Sequence, residues 1–307
     1  MFQTFDTPTD PSVGRPRLAA LKAELARRGL DGFLIPRADA HQGEYVPPCD
    51  CRLQWLTGFA GSAGVAAVLG DAAAIFIDGR YTLQVRDEVD CALFEPHHLI
   101  EAPPADWLAA RLKPGMRLGF DPMLHTLNGT RRLRQVCTAA GAELVSVSDN
   151  PVDAVWADRP AAPIGAVSLQ PMDKAGEEAG AKIARIAAAV AKAGADAVVI
   201  TQPDSIAWLF NIRGSDVTHT PIPLSFAVLS AKGEAQLFID GRKLSNTVRD
   251  TLAVLTDIVE PSGFLPALTS LGAAGLSVLV DPDLAGEAIA TCIISAGGKL
   301  VEGPDPV

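Results

Sequence analysis

The sequence predicts an α/β fold repeated in two tandem copies, and three observations carry that prediction. The pentapeptide Phe76-Ile77-Asp78-Gly79-Arg80 returns as Phe238-Ile239-Asp240-Gly241-Arg242, 162 positions later. Its surroundings return in the same order. Gly29-Leu30-Asp31-Gly32-Phe33-Leu34-Ile35 is echoed by Gly194-Ala195-Asp196-Ala197-Val198-Val199-Ile200, Trp55-Leu56 by Trp208-Leu209, Arg86-Asp87 by Arg249-Asp250, and Phe120-Asp121-Pro122 by Val280-Asp281-Pro282. Finally, each half alternates helix-periodic with strand-like segments, the pattern of an α/β domain.

In the first half, Pro16 stands where a helix can begin, and Leu18, Leu21 and Leu25 form an apolar stripe at helical period, closed by Gly29. Gly32 to Ile35 reads as a short buried strand. Val65 to Leu69 and Ala73 to Ile77 are two strands joined by the turn pair Gly70-Asp71, a hairpin signal. Tyr81 to Val89 reads as a helix, Leu93 and Leu118 mark strands, and helices are expected near Ala105 to Leu112 and over Thr126 to Ala139. A strand at Glu143 to Val147 closes the half. The second half opens with an alanine-rich helix, Ala175 to Lys192, whose buried edge is Ile183, Ile186 and Val190. Strands follow at Ala197 to Ile200, Ser225 to Leu229 and Ala235 to Ile239, the last two separated by Lys232-Gly233, then near Leu276 to Val280 and Lys299 to Val301. Asn150 to Ile164, with Pro151, Pro160 and Pro163, reads as a linker, and Glu302 to Val307 has the same turn-and-proline character.

Composition limits the function. The chain has 307 residues, enough for two domains with separate cores, and its 48 % hydrophobic and 20 % charged content is that of a compact protein. A net charge of −10 argues against nucleic acid, whose binding is driven by cationic contacts to phosphate. No window reaches the ~20 apolar residues of a membrane span. Met1 to Arg17 shows no apolar leader region, and five scattered cysteines (Cys49, Cys51, Cys91, Cys137, Cys292) suit reduced thiols in a cytoplasm.

No segment satisfies the requirements of a catalytic site. Asp39-Ala40-His41-Gln42-Gly43-Glu44-Tyr45 holds ligand-type residues, but no second cluster completes a metal site, so its polar groups are expected to cap and satisfy backbone. Cys49-Asp50-Cys51 has the wrong spacing for a sulfur-ligated metal, which makes those cysteines structural. Gly58-Phe59-Ala60-Gly61-Ser62-Ala63-Gly64 is not a phosphate loop, since no Lys-Ser or Lys-Thr follows. It is also a poor nucleophile elbow, since Ala60 replaces a glycine and a strand, not a helix, comes next. His97, His98 and His125 form no helical i, i+4 pair with a glutamate between. In the loop Arg213 to Pro221, Arg213, Asp216 and His219 suggest structural charge pairing.

Several of these motifs together resemble a family. Asp39 to Tyr45, Cys49-Asp50-Cys51-Arg52, Thr57 to Gly64 and Asp78-Gly79-Arg80-Tyr81 resemble the first domain of long-form Xaa-Pro aminopeptidases, peptidase family M24. Asn150 to Pro160 resembles that family's link between its first two domains, and Ile206 to Asp216 the matching stretch of its second. The resemblance implies two tandem creatinase N-terminal-like domains, at 1–158 and 159–307, each a mixed β-sheet with helices on both faces. It also implies a third, pita-bread catalytic domain, where two aspartates, a histidine and two glutamates hold two manganese ions. None of those ligands can be placed on this sequence, so no catalytic, cofactor-binding or metal-binding residue is expected here.

Three functional readings follow. The first is the non-catalytic N-terminal part of a metal-dependent Xaa-Pro aminopeptidase, walling its active-site cleft against all but short peptides with proline second. This chain alone is then inactive and monomeric, and the full-length enzyme homodimeric. The second is a free-standing binding module, and the third a separate hydrolase using Ser62.

Overall fold

The computed structural model describes residues 10–307; the opening of the Met1–Arg17 stretch, read above as lacking a leader, falls outside them. The chain divides into two compact units. The first runs through Ala38 and continues with Pro48–His125 and Gly129–Ala161; the second comprises Asp39–Pro47, Thr126–Asn128 and Ala162–Val307.

The first unit is built on six strands: β1 (Gly32–Pro36), β2 (Gly64–Leu69), β3 (Ala72–Ile77), β4 (Glu95–His98), β5 (Arg117–Phe120) and β6 (Glu143–Ser146). They lie in the order β4-β3-β2-β1-β5-β6. The β1–β2 and β2–β3 pairs are antiparallel, and the β3–β4, β1–β5 and β5–β6 pairs are parallel. Successive side chains of a strand point to opposite faces, and here both faces are apolar. Phe33, Ile35, Val68 and Ile75 pack with Leu18, Leu21 and Leu25 of the helix Gly14–Arg27. Leu34, Ala67, Leu69 and Phe76 pack on the opposite side with Trp107, Leu108 and Cys137, from the helices Pro104–Ala109 and Leu127–Ala139. Burial on both sides explains why the central strands read as unbroken apolar runs.

The second unit contains β7 (Ser168–Leu169), β8 (Ala197–Ile200), β9 (Ile212–Arg213), β10 (Phe226–Ser230), β11 (Ala235–Phe238), β12 (Asp257–Val259), β13 (Ser277–Val280) and β14 (Lys299–Glu302). Its six-stranded sheet has the order β12-β11-β10-β8-β13-β14, and β7 and β9 form a separate antiparallel pair. Position by position, the parallel and antiparallel pairings match those of the first sheet. Ile183, Ile186 and Val190 of the helix Ala179–Lys192 cover one face. Phe264, on the helix Phe264–Ala273, stacks on Phe226 of β10 at 4.2 Å and meets Phe238 of β11 edge-on at 5.3 Å.

The repeated Asp-Gly turns do the same work in both units. Asp78 accepts from the Arg80 backbone N–H at 2.9 Å, Asp240 does so from Arg242 at 2.9 Å, and each thereby caps a short 3-10 turn after β3 or β11. The Arg242 guanidinium also holds the Asp240 carboxyl down to about 2.

Several expectations need correction. The strand expected at Leu93 begins at Glu95; Leu93 lies in a turn, packed against the core, and the strand Glu95–His98 is a polar edge with no apolar period to reveal it. Tyr81 to Val89 is not one helix but a 3-10 turn, Gly79–Tyr81, followed by the helix Gln84–Glu88. The expected helix Ala175 to Lys192 is interrupted: Gly176 adopts φ 74, ends the short helix Met172–Ala175, and the long helix starts at Ala179. The stretch read as a linker opens with a helix, Pro151–Val155, capped by Asn150, and buries Val152 and Trp156 in the first core.

Candidate functional site

The stretch Asp39–Pro47 belongs to the second unit. There it meets the chain after β8 and the loop between β9 and β10, and these segments enclose a cleft of about 220 Å³. Asp39 organises its own loop. Its Oδ1 accepts from the backbone N–H of His41 at 2.9 Å and of Gly43 at 3.0 Å. His41 follows: its Nδ1 lies 3.0 Å from the Thr201 carbonyl, which assigns that nitrogen the proton, and its ring stacks on Phe226 at 4.3 Å. Gln202 Nε2 donates to the His41 carbonyl at 2.8 Å, closing a hydrogen-bonded seam between segments 160 residues apart. Asp39 Oδ1 and the His41 ring thus satisfy backbone groups of this unit.

The facing wall is fixed by a buried ion pair. Lys243 Nζ stands 2.6 Å from Asp216 Oδ2, with the two side chains 5 % and 0 % exposed. Asp216 also accepts from the backbone N–H of Gly165 at 3.0 Å and of Leu224 at 2.7 Å, and Lys243 donates to the Leu224 carbonyl at 3.1 Å. Leu224, a cleft residue, is therefore held at both its N–H and its carbonyl. The expected grouping of Arg213, Asp216 and His219 does not form as such. Asp216 takes its cation from Lys243, Arg213 donates to the carbonyls of Ala207 and Ile212, and His219 sits exposed in a left-handed turn at φ 62.

The other candidate residues have structural roles. Gly58 closes the helix Arg52–Thr57 at φ 90, and a Cβ there would fall 2.4 Å from the Glu88 carbonyl oxygen. The turn then runs into β2, so helix precedes strand, the reverse of a nucleophile elbow. The Ser62 hydroxyl shares a 2.9 Å hydrogen bond with Tyr81. Burial pushes the Cys49 thiol up to about 11, far from the thiolate a metal needs. His98 Nδ1 accepts from the N–H groups of Ile100 and Glu101. His125 donates to the Asp121 carbonyl at 2.9 Å, and burial holds its imidazole down to about 4. Arg52 is buried in a cluster with Asp50, Asp153 and Arg159, braced by bonds of 2.7 to 2.9 Å to the two carboxylates. Among the described residues, no group of three or more His, Cys, Asp or Glu side chains is disposed to hold a metal ion.

Two sheets of one strand order, each flanked by helices, define a duplicated α/β scaffold. Residues 17–155 and 158–307 each match the creatinase/prolidase N-terminal domain, and the chain belongs to that family in both halves. Aminopeptidase P2 of Arabidopsis thaliana is 34 % identical over 273 residues, covering 87 % of this chain and 38 % of the plant protein. A probable Xaa-Pro aminopeptidase P of Paracoccidioides brasiliensis (strain Pb03) is 37 % identical over 239 residues, covering 77 % of this chain and 39 % of the fungal one. The chain thus spans well under half the length of these curated relatives. Among solved structures, the X-prolyl aminopeptidase of Caenorhabditis elegans, described as a cytosolic enzyme with a di-nuclear active site, superposes with a TM-score of 0.87 at 26 % identity, over 95 % of this chain and 50 % of that one. No helix among the described residues is long and apolar enough to cross a membrane.

Proposed function

We propose that this chain is the non-catalytic N-terminal part of a cytoplasmic, metal-dependent Xaa-Pro aminopeptidase, an enzyme that removes the residue preceding proline from short peptides. In this reading the domains are 1–158 and 159–307, and a catalytic domain with two manganese ions follows in the longer protein, which acts as a homodimer. The two units wall the active-site cleft and restrict the size of peptide admitted, and no residue of this chain takes part in the chemistry. The observation that supports it best is the pairing of near-complete coverage of this chain with 38 % coverage of the plant aminopeptidase. The described residues offer scaffold, caps and buried ion pairs, which suits a supporting role.

The test is hydrolysis of a tripeptide with proline second, with and without manganese. The 307-residue chain is expected to be silent and the product of the longer reading frame to be active and chelator-sensitive. Chelator-sensitive cleavage by a clean preparation of the 307-residue chain overturns the proposal.

A further inference from the structure

We propose that the cleft of the second unit is a subsite for a primary ammonium group, with Asp39 Oδ2 as its acceptor. Asp39 is only 1 % exposed and its Oδ1 is saturated by two backbone N–H groups, yet Oδ2 has no hydrogen-bond partner among the described residues. A buried carboxylate oxygen left unmet is costly, and such an atom in the wall of a cleft calls for a donor. Gly43 packs beside it: a Cβ there would lie 3.5 Å from Oδ2 and 3.2 Å from the Tyr45 carbonyl oxygen, so the glycine keeps the surroundings of Oδ2 free of a side chain.

The rest of the cleft selects the kind of donor. Its charged lining residues are Asp39, Glu44 and Asp204, with no lysine or arginine among them, so it favours a cation. Pro203, Ile222 and Leu224 give it an apolar side able to take a short alkyl body. A metal ion would need converging ligands that the described residues do not supply. A guanidinium is best met by a bidentate carboxylate, and here one oxygen is already occupied. A compact ammonium, which can donate to a single oxygen, fits what is left.

Two sources carry that chemistry: a free alkylamine and the α-ammonium of a peptide. Only the second rests on the functional reading above. The experiment follows the methyl resonances of Ile222 and Leu224 in the 13C-methyl-labelled full chain. Titration with n-butylammonium chloride is expected to shift them saturably, and tetramethylammonium chloride, which has no N–H, to leave them in place. Asp39→Asn keeps an oxygen for His41 and Gly43 but replaces Oδ2 by a donor, and is expected to weaken binding by at least about tenfold. Should that variant not fold, Asp204→Asn at the exposed rim is expected to weaken it about two- to fivefold. The subsite is refuted by absent or non-saturable shifts, by equal shifts with tetramethylammonium, or by unchanged affinity in whichever variant folds. Binding of Ala-Pro-Ala but not of N-acetyl-Ala-Pro-Ala assigns the peptide source. If neither peptide binds and n-butylammonium does, the peptide source is refuted and the site is one for free amines. Neither result depends on whether the longer protein hydrolyses peptides.

Discussion

His125 shows how burial at one residue couples to the stability of a unit. Its ring meets Phe120 edge-on, its Nδ1 donates to Asp121, and burial holds its pKa near 4, below the ordinary value of 6.5. Between those values the unfolded chain takes up a proton that the folded one refuses, so lowering the pH favours unfolding. The contribution is present in full above pH 6.5 and is lost as the pH falls towards 4, amounting to about 3 kcal/mol. Urea unfolding of His125→Asn beside the parent protein, at pH 7 and pH 4, is expected to give a shallower pH dependence by about that amount. Parallel pH profiles for the two proteins would discard this role. Nothing in the sequence around His125 announces its burial. The half-buried ring is packed by tertiary contacts, while its contacts with Phe120 and the Asp121 carbonyl are local.

At the level of elements, the loop between β9 and β10 is held by one ion pair reaching in from the turn after β11. Lys243→Met removes the cation and leaves the Asp216 carboxylate buried against two backbone N–H groups. The expected loss is about 3–5 kcal/mol of unfolding free energy in urea at pH 7, the size typical of a buried pair deprived of one partner. A loss below about 1 kcal/mol would mean that the carboxylate reaches solvent in place of its cation. Elements of this protein were legible where local chemistry decides them. The hairpin of β2 and β3 shows in its Gly70-Asp71 turn, with Gly70 at φ 56, and the first long helix in its Leu18-Leu21-Leu25 stripe. Of the edge strands, β6 and β14 were legible and β4 and β12 were not. β4 reads Glu-Pro-His-His and β12 only Asp-Ile-Val, because an edge with little buried surface needs no apolar alternation. The cleft was half legible: the Asp39 to Tyr45 motif stands out in the sequence, but Thr201, Gln202, Phe226 and Lys243, which complete it, carry no signal that names it as their partner.

Over the whole molecule, the duplication that first appears as a repeated pentapeptide becomes two sheets with the same order and pairing sense. The repeat is nonetheless not a clean division of the chain. The second compact unit takes Asp39–Pro47 and Thr126–Asn128 from the first half, including hydrogen bonds from Leu127 to Ala285 and from Asn128 to Pro282. Residues 162–307 expressed alone therefore lack the His41 ring over Phe226 and the donor groups of Leu127 and Asn128. That fragment is expected to melt several degrees below the full chain, since each ~1 kcal/mol lost lowers the midpoint of a domain this size by about 2–8 °C. A fragment melting with the full chain would show that the borrowed segments contribute nothing.

The seam between His41 and Thr201 also orders events during synthesis. The loop from Asp39 leaves the ribosome long before its partners, and the second unit cannot complete itself until a span of 160 residues has been closed. Joining an early segment to a late one is a contact of high sequence separation, the kind whose loop-closure entropy slows folding.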